Sequence, residues 1–255
     1  MEYHNDLALF GPNLNPFKEL IQKHFEMEDL GQASLLLGIS IHQHHNGSSL
    51  SQTHYINELA QAFNIHELHP SNTHLKPHLQ LQLASRNEIK EFKITRMNYR
   101  SALGSSSYII SNTRPELTFA VSHLSQFLEN PGILHWKAYL QVLRYLYHTR
   151  NLSLQFQHQE GNQIISYADT DWGNNPIDQR SVSGYTVSRN HHLISWNFKR
   201  QNTVSHSATE AKYKALLEVT KETMWLLNFC KEINLPLLDK PVILNNNKGA
   251  INLAL

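Results

Sequence analysis

Cysteine is nearly absent: one residue, Cys230, in a chain of 255 leaves no internal disulfide possible. Charge is sparse as well. Asp, Glu, Lys and Arg make up 17% of the chain against about 25% in an average soluble protein. The 22 basic groups nearly cancel the 21 acidic ones, leaving +1. No apolar run approaches the roughly 18 residues that a bilayer crossing requires. Met1-Glu2-Tyr3-His4-Asn5-Asp6 carries neither the basic start nor the apolar stretch of a secretory signal. These absences set the expectation of an intracellular protein, cytoplasmic or nuclear, without membrane attachment. With 40% hydrophobic residues the chain is not disordered, and its length suits one large or two ordinary domains.

Histidine is what the chain has in excess, at 17 residues, nine of them before position 76. The small net charge also conceals an asymmetry. Residues 1–75 carry 2 basic and 8 acidic groups, residues 76–150 carry 10 and 4, and residues 151–255 carry 10 and 9. A +6 stretch suits contact with a phosphate backbone, because docked Lys and Arg release condensed counterions; a solvated helical face is the other reading. His42, His44 and His45 cluster where alternate strand residues share a face, so His42 and His44 could pair on a transition metal. No third ligand type accompanies them, and an exposed turn is the preferred reading.

Periodicity divides the chain. Leu7–Phe10 predicts a short strand running into Gly11-Pro12, and Phe17, Leu20 and Ile21 predict a helix after Pro16. Leu35–His42 and Leu50–Gln52 flank Asn46-Gly47, the pair that suits the two positive φ angles of a type I′ hairpin turn. Ile56, Leu59, Ala60 and Phe63 form a helical stripe, and residues 66–90, with Pro70 and Pro77, read as an irregular connection. Tyr99 to His148 predicts three helices broken at Thr113-Arg114-Pro115 and Asn130-Pro131-Gly132. After Arg150 the period falls to two, in Leu152/Leu154/Phe156, Ile165/Tyr167/Asp169, Tyr185/Val187 and Leu193/Ser195/Asn197. A long helix follows from near Thr209, its stripe Ala211, Ala215, Val219, Met224, Leu227 and Cys230 or Ile233, ending before Pro236. Val242–Leu244 predicts a last strand. The class is α/β (α+β), with a mixed sheet in the second half and domains at 1–150 and 151–255.

A series of ordered blocks then carries a resemblance. Tyr3-His4-Asn5-Asp6, Glu28-Asp29-Leu30-Gly31, Leu37-Gly38-Ile39 and Leu50-Ser51-Gln52 with Tyr55-Ile56 come first. Tyr99-Arg100-Ser101-Ala102-Leu103-Gly104, Thr113-Arg114-Pro115-Glu116, His135-Trp136-Lys137-Ala138 and Leu143-Arg144-Tyr145-Leu146 follow. Tyr167-Ala168-Asp169-Thr170-Asp171-Trp172, Ser183-Gly184-Tyr185, Ile194-Ser195-Trp196, Lys199-Arg200-Gln201 and Ser207-Ala208-Thr209-Glu210-Ala211 complete the set. Together they resemble the Pol polyprotein of copia-type LTR retrotransposons, from the end of the reverse transcriptase palm into the ribonuclease H domain. The resemblance implies that residues 1–150 are the palm end, a hairpin and a helical thumb or connection. It implies that residues 151–255 are a C-terminally truncated ribonuclease H-like unit.

What the family does, the resemblance implies here: RNA-directed DNA synthesis and hydrolysis of RNA in RNA–DNA hybrids. Both are two-metal reactions, in which carboxylates hold two divalent ions about 4 Å apart, and Mg²⁺ suits such hard oxygen ligands. The resemblance places the polymerase's aspartate pair at Asn5 and Asp6, with a third ahead of Met1. It places ribonuclease H metal carboxylates at Asp169 and Glu210, a third position at Asn246, and a fourth beyond Leu255. Two of these positions, Asn5 and Asn246, are amides, which can coordinate through oxygen but cannot balance a divalent charge. A catalytically defective chain is therefore expected, with residues 76–150 still able to hold an RNA–DNA hybrid or other nucleic acid. Lys137 and Arg144 are the expected backbone contacts, beside Trp136, Tyr139, Leu143, Tyr145 and Tyr147, which either stack on bases or pack the helix. From residue type alone, Asp6 is a strand-end or turn carboxylate, Asp169 a turn former with Asp171, and Glu210 a helix-start charge beside a capping Ser207 or Thr209. Asp171 and Asp178 lie near the site in sequence, though no spacing argument makes either a substitute for Asn246.

Overall fold

The computed structural model describes residues 7–11, 13–77, 79–158, 161, 163–173, 175, 177–235 and 239–254. Asn5 and Asp6, and with them the polymerase positions, lie outside the described residues. Leu7–Phe10 forms no strand: Leu7 is 55% and Phe10 80% exposed, and without a partner among the described residues a strand's ladder groups go unpaired. The first helix, α1 (Asn15–Gln22), has Pro16 in its opening turn, where a missing N–H costs nothing.

Four antiparallel strands build the first sheet in the order β1 (Leu35–Leu36), β2 (Ile39–His44), β3 (Gly47–Ser51) and β4 (Leu154–Gln157). The expected hairpin is present, but it turns one residue early. His44 pairs with Gly47, so the loop is His45-Asn46, and neither residue has positive φ. Gly47 answers a different need, since a Cβ there would lie 1.9 Å from the Phe156 carbonyl oxygen on β4. The strand around Leu154 and Phe156, expected with the second half, completes this first sheet instead.

Helices α2 (Thr53–Ala62), α3 (Arg86–Ile94), α4 (Tyr99–Asn112), α5 (Thr118–Ser125) and α6 (Ile133–His148) follow, with 3₁₀ turns at Ile65–Glu67 and Pro115–Leu117. The breaks fall where Pro115 and Pro131-Gly132 predicted them. Helix α3 corrects the reading of 66–90 as irregular throughout. Its start is a capping box: Ser85 Oγ accepts from the Glu88 N–H, and the Glu88 carboxylate accepts from the Ser85 N–H at 2.8 Å. Tyr99, Leu103, Ile109, Leu124, Tyr139 and Leu146 are among the buried residues of this helical core. Trp136 and Tyr139 are thus packing residues, at 7% and 0% exposure.

The second sheet runs β7 (His192–Arg200), β6 (Val182–Arg189), β5 (Ile164–Asp171), β8 (Val242–Leu244), with β5 and β8 parallel and the other pairs antiparallel. The type I′ geometry absent from the first hairpin occurs here, in the two-residue loop Asn190-His191, where φ is +51° and +65°. Helix α7 (Ala208–Glu232) crosses β5 and β6, and α8 (Lys248–Ala254) follows β8. Its buried stripe is Ala211, Ala215, Leu216, Val219, Thr223, Leu226 and Cys230. Met224 and Ile233, expected in that stripe, are 58% and 52% exposed. At 100° per residue, Met224 sits about 140° round from Val219, whereas Thr223 returns to the same face. The helical core and the second sheet meet where the Trp196 indole donates to the Ile110 carbonyl at 2.8 Å and Phe119 stands edge-on to Phe198. No helix among the described residues is long and apolar enough to cross a membrane.

Candidate functional site

Alternation along β5 turns Ile164, Ser166, Ala168 and Thr170 inward and leaves Tyr167, Asp169 and Asp171 exposed. Asp169 therefore stands at the surface near the end of a central strand. Beyond the end of β8, three asparagines each take a separate task. Asn245 Nδ2 donates to the Ala168 carbonyl at 3.0 Å, tying the turn to β5. Asn247 Oδ1 accepts from the Ala250 N–H at 2.8 Å and caps α8. Asn246 Oδ1, between them, accepts from Lys212 Nζ, and the same ammonium lies 2.8 Å from Asp169 Oδ1. The structure thus brings Asp169 and Asn246 together, with a lysine between them that no motif had singled out.

Glu210 goes elsewhere. Residues 210 and 212 lie about 100° to either side of the buried Ala211, so one faces away when the other faces Asp169. The Glu210 carboxylate accepts from the His206 N–H at 2.8 Å and pairs with Lys214 Nζ at 2.7 Å, while Ser207 Oγ caps the helix through the Glu210 N–H at 3.1 Å. The helix-start role expected from residue type is the one these contacts describe. Asp178 is held by Arg180 and Arg200 at 3.2 and 3.0 Å.

The electrostatics follow the pairing. Burial pushes the Asp169 carboxyl upward, but the Lys212 ammonium and the Thr170 N–H together outweigh it and hold the group below the ordinary carboxylate range. Lys214 and the His206 N–H likewise hold Glu210 low. Among the described residues no group of three or more His, Cys, Asp or Glu side chains is placed to bind a metal ion, His42 and His44 included. The donor set around Asp169 does not fit Mg²⁺: it offers one carboxylate already bonded to an ammonium, and one amide engaged by the same ammonium.

A second locus lies in the basic middle of the chain. Arg144 donates to the carbonyls of His69 and Pro70, clamping the irregular connection onto α6. Arg114, 1% exposed, pairs with Glu116 at 2.6 Å and donates to Thr149. Lys137 is exposed on α6. Among the other cations of this segment, Lys93, Arg96 and Arg100 line an open cavity of about 340 Å³ between α3 and α4, floored by Phe92 and Tyr99 and lined also by Glu129. All three are exposed, and none has an ion pair among the described residues. They come from three successive pieces of chain, α3, the turn at Arg96, where φ is +57°, and α4, so no single periodicity marks them as one group.

Comparison with known proteins adds the following. Residues 2–77 match the family model described as reverse transcriptase (RNA-dependent DNA polymerase). The chain is 34% identical over 242 residues, 91% of its length, to the retrovirus-related Pol polyprotein from transposon TNT 1-94 of Nicotiana tabacum. It is 32% identical over 252 residues, 97% of its length, to that from transposon RE1 of Arabidopsis thaliana. It spans 18% and 17% of those two polyproteins. An uncharacterized mitochondrial protein of Arabidopsis thaliana is 30% identical over 88% of this chain and 92% of its own length. No solved structure matches the chain.

Proposed function

The chain belongs to the Pol polyprotein family of copia-type retrotransposons, and from that premise we propose that it binds nucleic acid without cleaving it. In this reading residues 1–150 correspond to the end of a reverse transcriptase and the remainder to a ribonuclease H-like unit whose metal positions are Asp169, Glu210 and the degenerate Asn246. One observation carries the loss of chemistry. Two-metal hydrolysis requires several carboxylates converging on one point, whereas here Asp169 faces a lysine and an amide, and Glu210 turns to Lys214 and the His206 N–H.

Binding is assigned to the +6 segment, through Lys93, Arg96 and Arg100 around their cavity, with Lys137 on the neighbouring α6. Arg144 contributes by holding the 66–85 connection in place. Phe92 and Tyr99 are buried, so the contact is to phosphate rather than to bases. An RNA–DNA hybrid is the duplex to test. Fluorescence anisotropy against salt should show affinity falling as salt rises. Replacing Lys93, Arg96 and Arg100 together by Gln should flatten the log–log slope by roughly 2–3. Gel analysis of the labelled RNA strand in Mg²⁺ should show no cleavage. Cleavage abolished by Glu210→Gln would refute the catalytic half of this reading, and salt-independent affinity would refute the binding half.

A further inference from the structure

The Lys212 side chain is the least exposed charged group in the crevice, at 17%, while its partner Asp169 is 67% exposed. A partly buried ammonium requires acceptors, and this one has two: Asp169 Oδ1 and Asn246 Oδ1. The acceptors sit on separate elements, β5 and the turn after β8, so the cation bridges two parallel strands at their ends. The Thr170 N–H adds a second donor to the same Asp169 oxygen at 2.8 Å. Within this trio the charge closes. One carboxylate, one ammonium and one amide sum to zero, and Glu210 with Lys214 forms a separate neutral pair. An amide at 246 is the side chain that suits this arrangement, because a carboxylate there would leave a surplus negative charge.

The geometry points to Lys212 as a built-in monovalent cation that fills the space between Asp169 and Asn246 and closes the crevice to divalent ions. A divalent ion binding at Asp169 would have to displace the ammonium or sit beside it, and like charges a few ångströms apart in a partly buried site repel strongly. The lysine therefore does for the fold what a metal does for a carboxylate cluster, without the chemistry. The identity of the excluded ion rests on the ribonuclease H-like reading above; the closure itself rests only on the contacts of Lys212.

The test is a Mn²⁺ titration of the full chain, followed by the electron paramagnetic resonance of free Mn²⁺. Wild type and Asp169→Asn should bind alike, with no site lost on removing the carboxylate. Lys212→Gln, which keeps a donor but removes the charge, should gain one Mn²⁺ site at least roughly tenfold tighter than anything in wild type. The double variant Lys212→Gln/Asp169→Asn should lose it. A wild-type site abolished by Asp169→Asn would overturn the inference, and so would a folded Lys212→Gln chain with no gain. Should Lys212→Gln not fold, the comparison of wild type with Asp169→Asn still decides. Hybrid cleavage by wild type would overturn the proposed function, whereas the Mn²⁺ titration judges Lys212 separately.

Discussion

His135, 2% exposed, works at both ring nitrogens. Nδ1 accepts the N–H of Gly132 at 2.8 Å, and Nε2 donates to the Gln82 carbonyl at 2.9 Å, which fixes the neutral Nε2–H tautomer. The ring stacks on Phe127 with centroids 4.0 Å apart. His135→Ala orphans the buried Gly132 N–H at about 1–3 kcal/mol and forfeits the Gln82 bond at about 1 kcal/mol. Loss of stacking adds about 0.5–1.5 kcal/mol. The expected destabilisation is therefore roughly 3–5 kcal/mol, with His135→Asn, whose Oδ1 reaches near the Nδ1 position, recovering about 1 kcal/mol of it. Burial, against the opposing pull of the Gln82 carbonyl and Glu88, holds the His135 pKa below its ordinary value. The folded-state pKa then lies under the unfolded one, so the contribution is complete above about pH 6.5 and is lost as pH falls toward the folded value. The loss approaches at most about 1.4 kcal/mol per pH unit for each proton, and His123, lowered by burial as well, adds in the same direction. Urea unfolding at pH 7.5 and 5.5 measures both effects. A cost of His135→Ala below about 1 kcal/mol would refute the accounting. So would identical acid destabilisation in wild type and His135→Asn.

Two further substitutions probe the joints of the fold. Gly47→Ala should cost roughly 2–3 kcal/mol and speed amide exchange across β4, since its Cβ would meet the Phe156 carbonyl oxygen at 1.9 Å; unchanged protection of β4 would show that the strands part without cost. Trp196→Phe should lose about 1 kcal/mol in urea unfolding, because the Ile110 carbonyl near the end of α4 is one of the helix's orphan acceptors and the indole at 2.8 Å satisfies it. A neutral result would mean that water replaces the bond.

Helices α2, α4, α5, α6 and α7 were legible because their apolar residues repeat at helical spacing, and in all but α2 the ends carry or adjoin proline, glycine or a capping side chain. Helix α3 was not, because Phe92 is its one buried residue and Ile94 is 79% exposed, leaving the Ser85–Glu88 capping box as its only strong mark. The sheet to which β4 belongs was illegible for another reason: alternation shows that a segment is a strand and says nothing about its partner. Asp169 and Asn246 were placed at one crevice through the resemblance, and the structure brings them together. Lys212 carried no signal, since a lysine in the first turns of a helix is ordinary until the path of β8 puts two acceptors in its reach. Arg144 was chosen for its charge, but its partners are carbonyls in a segment without periodicity to predict its course.

The pairing of β3 with β4 sets a timetable for the ribosome. Leu50 pairs with Leu154, so the first sheet cannot close until more than a hundred further residues have emerged. At synthesis rates of about 5–20 residues per second, β3 waits on the order of 5–20 s with one edge unpaired. Closing so long a loop at the end carries an entropic cost of roughly 4 kcal/mol. The strand that waits is Gly47-Ser48-Ser49-Leu50-Ser51, four of whose five residues are glycine or serine. With Leu50 its only apolar side chain, that edge has little to fix its register during the wait and is the part of the sheet most open to slipped pairing until β4 arrives.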